Sequence, residues 1–533
     1  MTVPLRVLVA DAIASDGLAP LRDDRRFELV NKPGLSGDAL AAAMADVDAV
    51  LVRSATKITR ESLSKAERLK VIGRAGVGVD TIDVDAATEK GIAVLTAPSG
   101  NTISACELTF ALLLALVRRV PAADRSMHDG AWDRKSFGGV ELYGKTLGLV
   151  GAGRIGGEVA KRARAFGMRV LVYDPYLTDE RAKALDAELT TLDDVLSRAD
   201  VISLHVPLTE STQGLIGRDQ LAKLKRGAMV VNASRGGVID EAALVEALRE
   251  RRIAGAALDV FEQEPLPKDH PLRSLANVVL TPHLGASTEE AQQNVALEIA
   301  EAVRAALTDG DFSRAVNAPA VGGEEMRRLR PLLDLAERLG RLASTMLDGA
   351  LQSTEVRYAG AAGEDALRPL SASALVGMLS GIVGRRNVNF VNAGHIAKTR
   401  GLDVRRTRMG EHRAFAEFVE VRASSRDREV RVAGALLGGG HPRIVRIGQY
   451  HVDVVPKGTL VVLRNRDVPG VIGRVGTLLG NAGINIGEYH QARLEAGGEA
   501  IAAISVDGRL DAEVVARLRA LPEVIDARQA QLD

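Results

Sequence analysis

The sequence predicts an α/β protein: a doubly wound parallel sheet, preceded by further parallel α/β structure and followed by two α+β modules. Three observations carry this. Short apolar runs alternate with helical stretches through residues 1–100 and again from about 145 to 282. A glycine-rich turn, Gly151-x-Gly153-x-x-Gly156, joins one such run to a helix. The last stretch, about 457–533, reads strand, helix, strand, strand, helix, strand, the ferredoxin-like split pattern.

A chain of 533 residues is too long for one core and predicts about three or four domains. Its 46% hydrophobic and 26% charged residues are ordinary globular composition. Basic and acidic side chains balance at 69 each, which argues against a general nucleic-acid or acidic-membrane binder. The single cysteine, Cys106, excludes an internal disulfide and any cysteine metal cluster, and fits a reducing cytoplasm. The N-terminus, MTVPLRVLVADAIASDG, lacks the basic start, apolar stretch and cleavage pattern of a signal peptide. LTFALLLALV (108–117) is about half the length that crosses a bilayer and reads as a buried helix. Ser104-x-x-Glu107 ahead of it has capping-box spacing.

In chain order, RVLVAD, DAVLVRSAT, KVIGRAG and IAVLTAP read as strands, two of them ending on Arg53 and Arg74. KTLGLVGAG, MRVLVYDP, ADVISLHVP, GAMVVNASRG, IAGAALDVF and NVVLTP then give six strands of one doubly wound domain. A helical stretch, 287–308, follows. AVNAPAVGG (315–323) reads as a linker. Residues 324–455 open with helices and close with strands, without parallel alternation.

A bare G-x-G-x-x-G is weak evidence, but here it follows an apolar strand, opens a helix, and precedes VLVYD. That strand ends on Asp174, 18 residues past Gly156. A carboxylate there holds ribose hydroxyls and repels a 2′-phosphate, so the Rossmann-type site favours NAD over NADP.

Three other strand ends carry polar residues: Arg235, Glu264 and His283. Carboxyl ends of parallel strands share one edge, so separations of 29 and 19 residues do not prevent convergence. A guanidinium grips a carboxylate through two hydrogen bonds. An imidazole exchanges a proton with a hydroxyl, and a neighbouring carboxylate orients it. Together with a nicotinamide these make a hydride-transfer site for a 2-hydroxy acid. The remaining histidines show no metal-ligand spacing, so no metal is expected.

The glycine turn, ASRGGVIDEAAL, DVFEQEP and PHLGAST resemble the D-isomer-specific 2-hydroxyacid dehydrogenases. RSATKIT, GRAGVGVDTIDVDAA, APSGNTISACELTFALLLAL and AVNAP resemble, within them, the long-form phosphoglycerate dehydrogenases. The resemblance implies a flavodoxin-like substrate domain from residues 1–100 and 283–316, discontinuous around an NAD-binding Rossmann domain at 101–282. It implies an intervening domain at 317–456, where RNVNFVNAGHIAKTRG matches best, and an ACT regulatory domain at 457–533. Arg235 becomes the carboxylate clamp, His283 the acid/base and Glu264 its partner. Cofactor contacts extend to Arg154 and Ile155, to His205, Pro207 and Thr212, to Ala233 and Ser234, and to Asp259 and Gly285. Substrate falls to Arg53, Ser54, Arg74, Gly76, Val77 and Asn101, with Arg134 and Lys135 reaching in from a neighbouring subunit. Asn465, Asp467 and Asn485 mark the effector site, for L-serine in this family.

The expected activity is NAD-dependent oxidation of D-3-phosphoglycerate, the first step of L-serine synthesis, in a cytoplasmic homotetramer inhibited by serine. Two other readings stay open at the level of sequence: a dehydrogenase of glycerate or hydroxypyruvate, and an NAD-binding sensor without catalysis. His441, Arg443, Arg446 and His451 form a basic cluster that is either a second anion site or a solvated face.

Overall fold

The computed structural model describes residues 3–319, 321–438 and 440–533; Met1 and Thr2 of the N-terminal stretch and Ala320 of the expected linker lie outside them. Strands β1 (Leu5–Val9), β2 (Phe27–Asn31), β3 (Ala49–Val52), β4 (Val71–Arg74) and β5 (Ala93–Thr96) form a parallel sheet in the order 2-1-3-4-5. That is the flavodoxin-like order. Its central strands are apolar on both faces, as a sheet covered twice requires. The helix Glu289–Asp309 returns to cover it, burying Val295, Ile299 and Val303 against Val7, Leu51 and Leu95.

The second sheet holds β6 (Thr146–Val150), β7 (Arg169–Tyr173), β8 (Glu188–Leu189), β9 (Val201–Leu204), β10 (Met229–Asn232), β11 (Gly255–Leu258) and β12 (Val278–Leu280). All pair in parallel, in the order 12-11-10-9-6-7-8. The sequence predicts six of these. The seventh, β8, is a two-residue edge strand, too short for an apolar run to register. Helix Thr102–Arg118 packs Phe110, Leu113 and Val117 against this sheet. Among the described residues no helix is long and apolar enough to cross a membrane. The capping box expected at Ser104 does not form. The helix starts earlier, with Asn101 at its N-cap, so Ser104 lies inside the first turn and its hydroxyl donates to the Gly285 carbonyl at 2.9 Å.

Beyond the linker, helix Gly323–Met346 lies against a six-stranded sheet: β13 (Ser353–Ala359), β14 (Asp403–Arg408), β15 (Glu417–Ser424), β16 (Glu429–Leu437), β17 (His441–Ile447) and β18 (Tyr450–Val454), in the order 14-13-15-16-17-18. Here the sequence reading needs correction. β13 and β14 pair in parallel through the crossover helices Leu367–Val383 and Ala393–Thr399, so the unit interleaves helices and strands. DVRRTR hides β14 because its side chains are largely charged and exposed. The final sheet, β19 (Thr459–Arg466), β20 (Ile486–Arg493), β21 (Glu499–Val506) and β22 (Val524–Gln531), is antiparallel in the order 20-21-19-22. One face takes the helices Val471–Asn481 and Ala512–Arg519. The other buries Leu460, Val462, Ile501 and Ala503 in the same core as helix Gly323–Met346. The RNVNFVN stretch docks back on the first sheet's unit: Asn389 Nδ2 donates to Gly91 O at 2.8 Å, and Val391 enters that core.

Candidate active site

β6 ends at Val150 and opens into the glycine turn, where each glycine answers a different steric demand. Gly151 adopts φ +91°, and an added Cβ would lie 2.6 Å from the His205 carbonyl oxygen. At Gly156 it would lie 2.2 Å from the Gly151 carbonyl. Gly153 faces open space. It N-caps helix Arg154–Ala165 with no side-chain bond, leaving first-turn N–H groups for a ligand. The turn, packed from behind and open in front, fits the pyrophosphate of a dinucleotide. Asp174, closing β7, is fastened beside it: its carboxylate accepts from Ala152 N–H and Tyr176 N–H, each at 2.9 Å. His205 is neutral, since burial pushes its imidazole down to about 4, and Nε2 lies 2.8 Å from Ser203 Oγ.

A cavity of about 1130 Å³ opens between the carboxyl ends of the two parallel sheets. Arg235, Glu264 and His283 all line it, because β10, β11 and β12 are neighbours and their following loops emerge on one edge. His283 Nδ1 and Glu264 Oε2 are 2.7 Å apart. Glu264 raises the imidazole above the usual histidine range, against the opposing effect of burial. On Glu264 burial pushes the other way, and the bonds to His283 and to Phe261 N–H (3.1 Å) outweigh it, holding the carboxyl below its usual range.

Asp259, fully buried at the end of β11, ties down the histidine loop. Its carboxylate accepts from Thr281 Oγ1 at 2.6 Å, Leu284 N–H at 2.7 Å and Gly285 N–H at 2.9 Å. His283 N–H donates to the Asp259 carbonyl at 2.9 Å. These bonds fix His283 at φ +57°, a region that side-chain-bearing residues rarely adopt and that costs about 1–3 kcal/mol.

The opposite wall is cationic. Arg53, Ser54, Arg74, Gly76, Val77 and Asn101 line it. Burial and the nearby guanidiniums of Arg235 and Arg53 depress Arg74 to about 10, with Asp80 and Asp11 opposing. Among the described residues its buried Nε has no partner. An added Cβ on Gly76 would sit 1.4 Å from Arg74 Nη1, and one on Gly78 would sit 2.1 Å from Arg235 Nη2. Only glycines let these two guanidiniums approach the loop. Sequence reasoning missed two aspartates here. Asp80 Oδ2 accepts from Arg235 Nε at 3.2 Å. Asp11, at the end of β1, accepts from Arg53 N–H and from Thr56 Oγ1 (2.7 Å), ordering the Arg53 loop. The available signal was position: both follow a strand or glycine turn where ligands gather.

Arg154, Ile155, Pro207, Ala233, Ser234 and Gly285 also line the cavity. Gly151, Gly153, Gly156, Asp174 and Thr212 lie outside its lining, and Thr212 Oγ1 donates to Pro207 O at 2.6 Å. Arg134 and Lys135 sit on an exposed loop away from it. Nor do the three residues expected at an effector site meet within one chain. Asn465 and Asp467 lie where β19 pairs with the start of β21, and Asn485 lies where β20 begins beside the end of β21. Six residues of β21 separate the two ends, roughly 20 Å. Asn465 is buried, and among the described residues its Oδ1 has no partner. Asp467 pairs with Arg493 at 2.6 Å, and Asn485 donates to Asp507 at 2.8 Å.

Residues 110–285 match the D-isomer specific 2-hydroxyacid dehydrogenase NAD binding domain, 328–448 the D-3-phosphoglycerate dehydrogenase intervening domain, and 459–523 the ACT domain. D-3-phosphoglycerate dehydrogenase of Methanocaldococcus jannaschii is 43% identical over 98% of this chain and 99% of its own. That of Bacillus subtilis is 42% identical over 99% of each. Among solved structures, D-lactate dehydrogenase of Aquifex aeolicus, complexed with NAD and lactic acid, is 32% identical with a TM-score of 0.52. It covers 58% of this chain and 98% of its own. A glyoxylate reductase of Paecilomyes thermophila gives 32% identity and a TM-score of 0.55 over 59% and 99%. With near-complete coverage by such relatives and all three of these domains in order, the chain belongs to the D-3-phosphoglycerate dehydrogenase family.

Proposed function

We propose that the chain oxidises D-3-phosphoglycerate to 3-phosphohydroxypyruvate, the first step of L-serine biosynthesis, and that L-serine inhibits it through the ACT domain. The observation that carries the catalytic half is the His283–Glu264 pair facing a wall of arginines across one cavity. The substrate bears a carboxylate at one end and a phosphate at the other, so it needs cations at both. Arg235 spends Nε on Asp80 and one Nη1 bond on the Ser234 carbonyl, which leaves Nη2 for the carboxylate. Arg53 and Arg74 face the remaining anion. The glycine turn, Asp174 and His205 hold NAD, which when bound supplies the hydride acceptor.

His283 acts as general base. Nδ1 donates to Glu264, so the neutral ring keeps its lone pair on Nε2, which takes the proton from the C2 hydroxyl. The imidazolium that forms is stabilised by the Glu264 carboxylate 2.7 Å away.

A second copy of the chain completes two regions. Helix Val120–His128 buries none of its residues, and Trp132 and Tyr143 nearby are 79% and 80% exposed. This arm is the self-association surface that would carry Arg134 and Lys135 to a neighbour's phosphate site, and a tetramer is the proposed assembly. β20 is an edge strand. Antiparallel pairing with its copy would bring Asn485 of one chain to Asp467 and Asn465 of the other, forming the serine seam. The proposed setting is cytoplasmic.

The test follows reduced-nicotinamide absorbance with NAD and D-3-phosphoglycerate while L-serine is titrated in. Turnover suppressed by serine is expected. Turnover untouched by serine would overturn the effector, and reduction of glyoxylate or hydroxypyruvate without turnover of the phosphorylated acid would overturn the substrate.

A further inference from the structure

Two carboxylates outside the catalytic set face each other beside it. Glu241 is the first residue of helix Glu241–Arg249, which follows the Arg235 turn; Glu262 lies two residues before Glu264. Each carboxylate accepts from the other's backbone. Glu262 N–H donates to Glu241 Oε1 at 2.7 Å, and Glu241 N–H donates to Glu262 Oε1 at 3.0 Å. The Glu241 N–H is a first-turn donor with no partner inside its helix, so this bond also satisfies an orphan. Glu241 is 8% exposed. A third group backs it: His270 Nε2 lies 3.2 Å from Glu241 Oε2, while Nδ1 accepts from Leu272 N–H, so the neutral ring carries its proton on Nε2 and donates to Glu241. Burial, together with the charges of Glu262 and Glu264, raises the Glu241 carboxyl above its usual range, with Glu262 N–H and His270 opposing. The two loops also touch directly, since a Cβ on Gly236 would lie 1.8 Å from the Phe261 carbonyl oxygen.

We infer that Glu241 and Glu262, backed by His270, are positioning residues whose reciprocal clasp holds the Arg235 loop against the Glu264 loop, so that carboxylate clamp and imidazole partner address one substrate. The inference rests on the catalytic reading proposed above. None of the three needs to touch substrate. Each catalytic side chain sits at the tip of a loop on its own strand, and parallel strand pairing fixes the strand ends without fixing the loops. The clasp supplies the missing constraint, six residues after Arg235 and two before Glu264.

The test compares wild type with Glu241→Ala, Glu262→Ala and Glu241→Gln. The glutamine keeps an oxygen that accepts from Glu262 N–H. Glu262 is exposed, so its replacement leaves the core intact. We expect kcat to fall by about tenfold or more in both alanine variants, NAD affinity by calorimetry to hold, and glutamine, which keeps the Glu262 N–H bond but turns its amide nitrogen toward the His270 N–H, to recover part of the rate. The acid limb of kcat/KM also moves to lower pH in the alanine variants. His283 faces Glu264, Asp259 and Arg235, and a loosened Glu264 no longer raises it fully. Wild-type kcat in both alanine variants overturns the clasp, as does loss of NAD binding in step with kcat and without rescue. Wild-type turnover of D-3-phosphoglycerate tests the function separately. If another 2-hydroxy acid is the better substrate, the variant ratios are read on that acid. A wild type with no dehydrogenase activity overturns both.

Discussion

His283 Nδ1 lies 2.7 Å from Glu264 Oε2, although the two residues come from loops after different strands and His283 sits at φ +57°. A backbone this unfavourable persists only where its surroundings over-determine it. Asp259 provides that through three side-chain bonds and a carbonyl. The strained histidine is thus held by one carboxylate behind it and addressed by another beside it.

The pH dependence of oxidation follows from this pair. In the proposed mechanism the proton leaves the substrate for a neutral imidazole, and Glu264 raises the pKa of that imidazole. Oxidation therefore appears only as pH rises through a value above the ordinary histidine range of about 6.5. Reduction, which needs the protonated ring, is favoured below it. Glu264→Gln removes the charge, so the acid limb of kcat/KM shifts to lower pH while the plateau falls. His283→Ala lowers kcat by about a hundredfold or more and leaves NAD affinity within a few-fold. Equal losses of rate and NAD affinity would make His283 structural.

We propose that Asp174 carries cofactor choice. Its carboxylate accepts from Ala152 N–H inside the glycine turn, so it braces that turn. A charged acceptor lost here is worth about 1.5–3 kcal/mol. We expect Asp174→Ala to weaken NAD binding by about tenfold or more on that scale and to narrow the preference over NADP, both by titration calorimetry. Unchanged NAD affinity would count against the brace.

The convergence of Arg235, Glu264 and His283 on one cavity was legible in sequence because parallel strands deliver their carboxyl ends to one edge. A residue placed just after an apolar run is thereby placed in space. Asp80 and Asp11 were not legible, since their importance lies in partners 155 residues (Arg235) and 42 residues (Arg53) away. β14 escaped for another reason: an edge strand of charged side chains carries no apolar period. For the proposed effector residues, sequence did not show that one chain's sheet holds them apart.

Two glycines let helices Gly323–Met346 and Leu367–Val383 cross closely. A Cβ on Gly340 would lie 2.1 Å from the Ala374 carbonyl, and one on Gly377 1.9 Å from the Glu337 carbonyl. Both obstacles are backbone, which no rotamer change relieves. Gly377→Val is expected to destabilise by about 1–3 kcal/mol or more, seen as a lower melting temperature in calorimetry. Ser380→Ala, one turn along at a hydroxyl bonded to Gly377 O, costs less.

The proposed effector seam can be tested by mixing chains. Asp467 and Asn485 lie at opposite ends of one sheet, so a site using both takes one residue from each of two copies. Asp467→Ala and Asn485→Ala, each as a homo-oligomer, should then raise the serine needed for half-inhibition by about tenfold or more, a loss of one charge-assisted bond. Co-expressed, they pair so that one seam has both residues intact and the other has neither. Calorimetry on the purified hetero-oligomer should find one serine bound per two chains with wild-type affinity. If each chain holds a complete site by itself, no pairing restores binding, and the mixed assembly stays as weak as its parents.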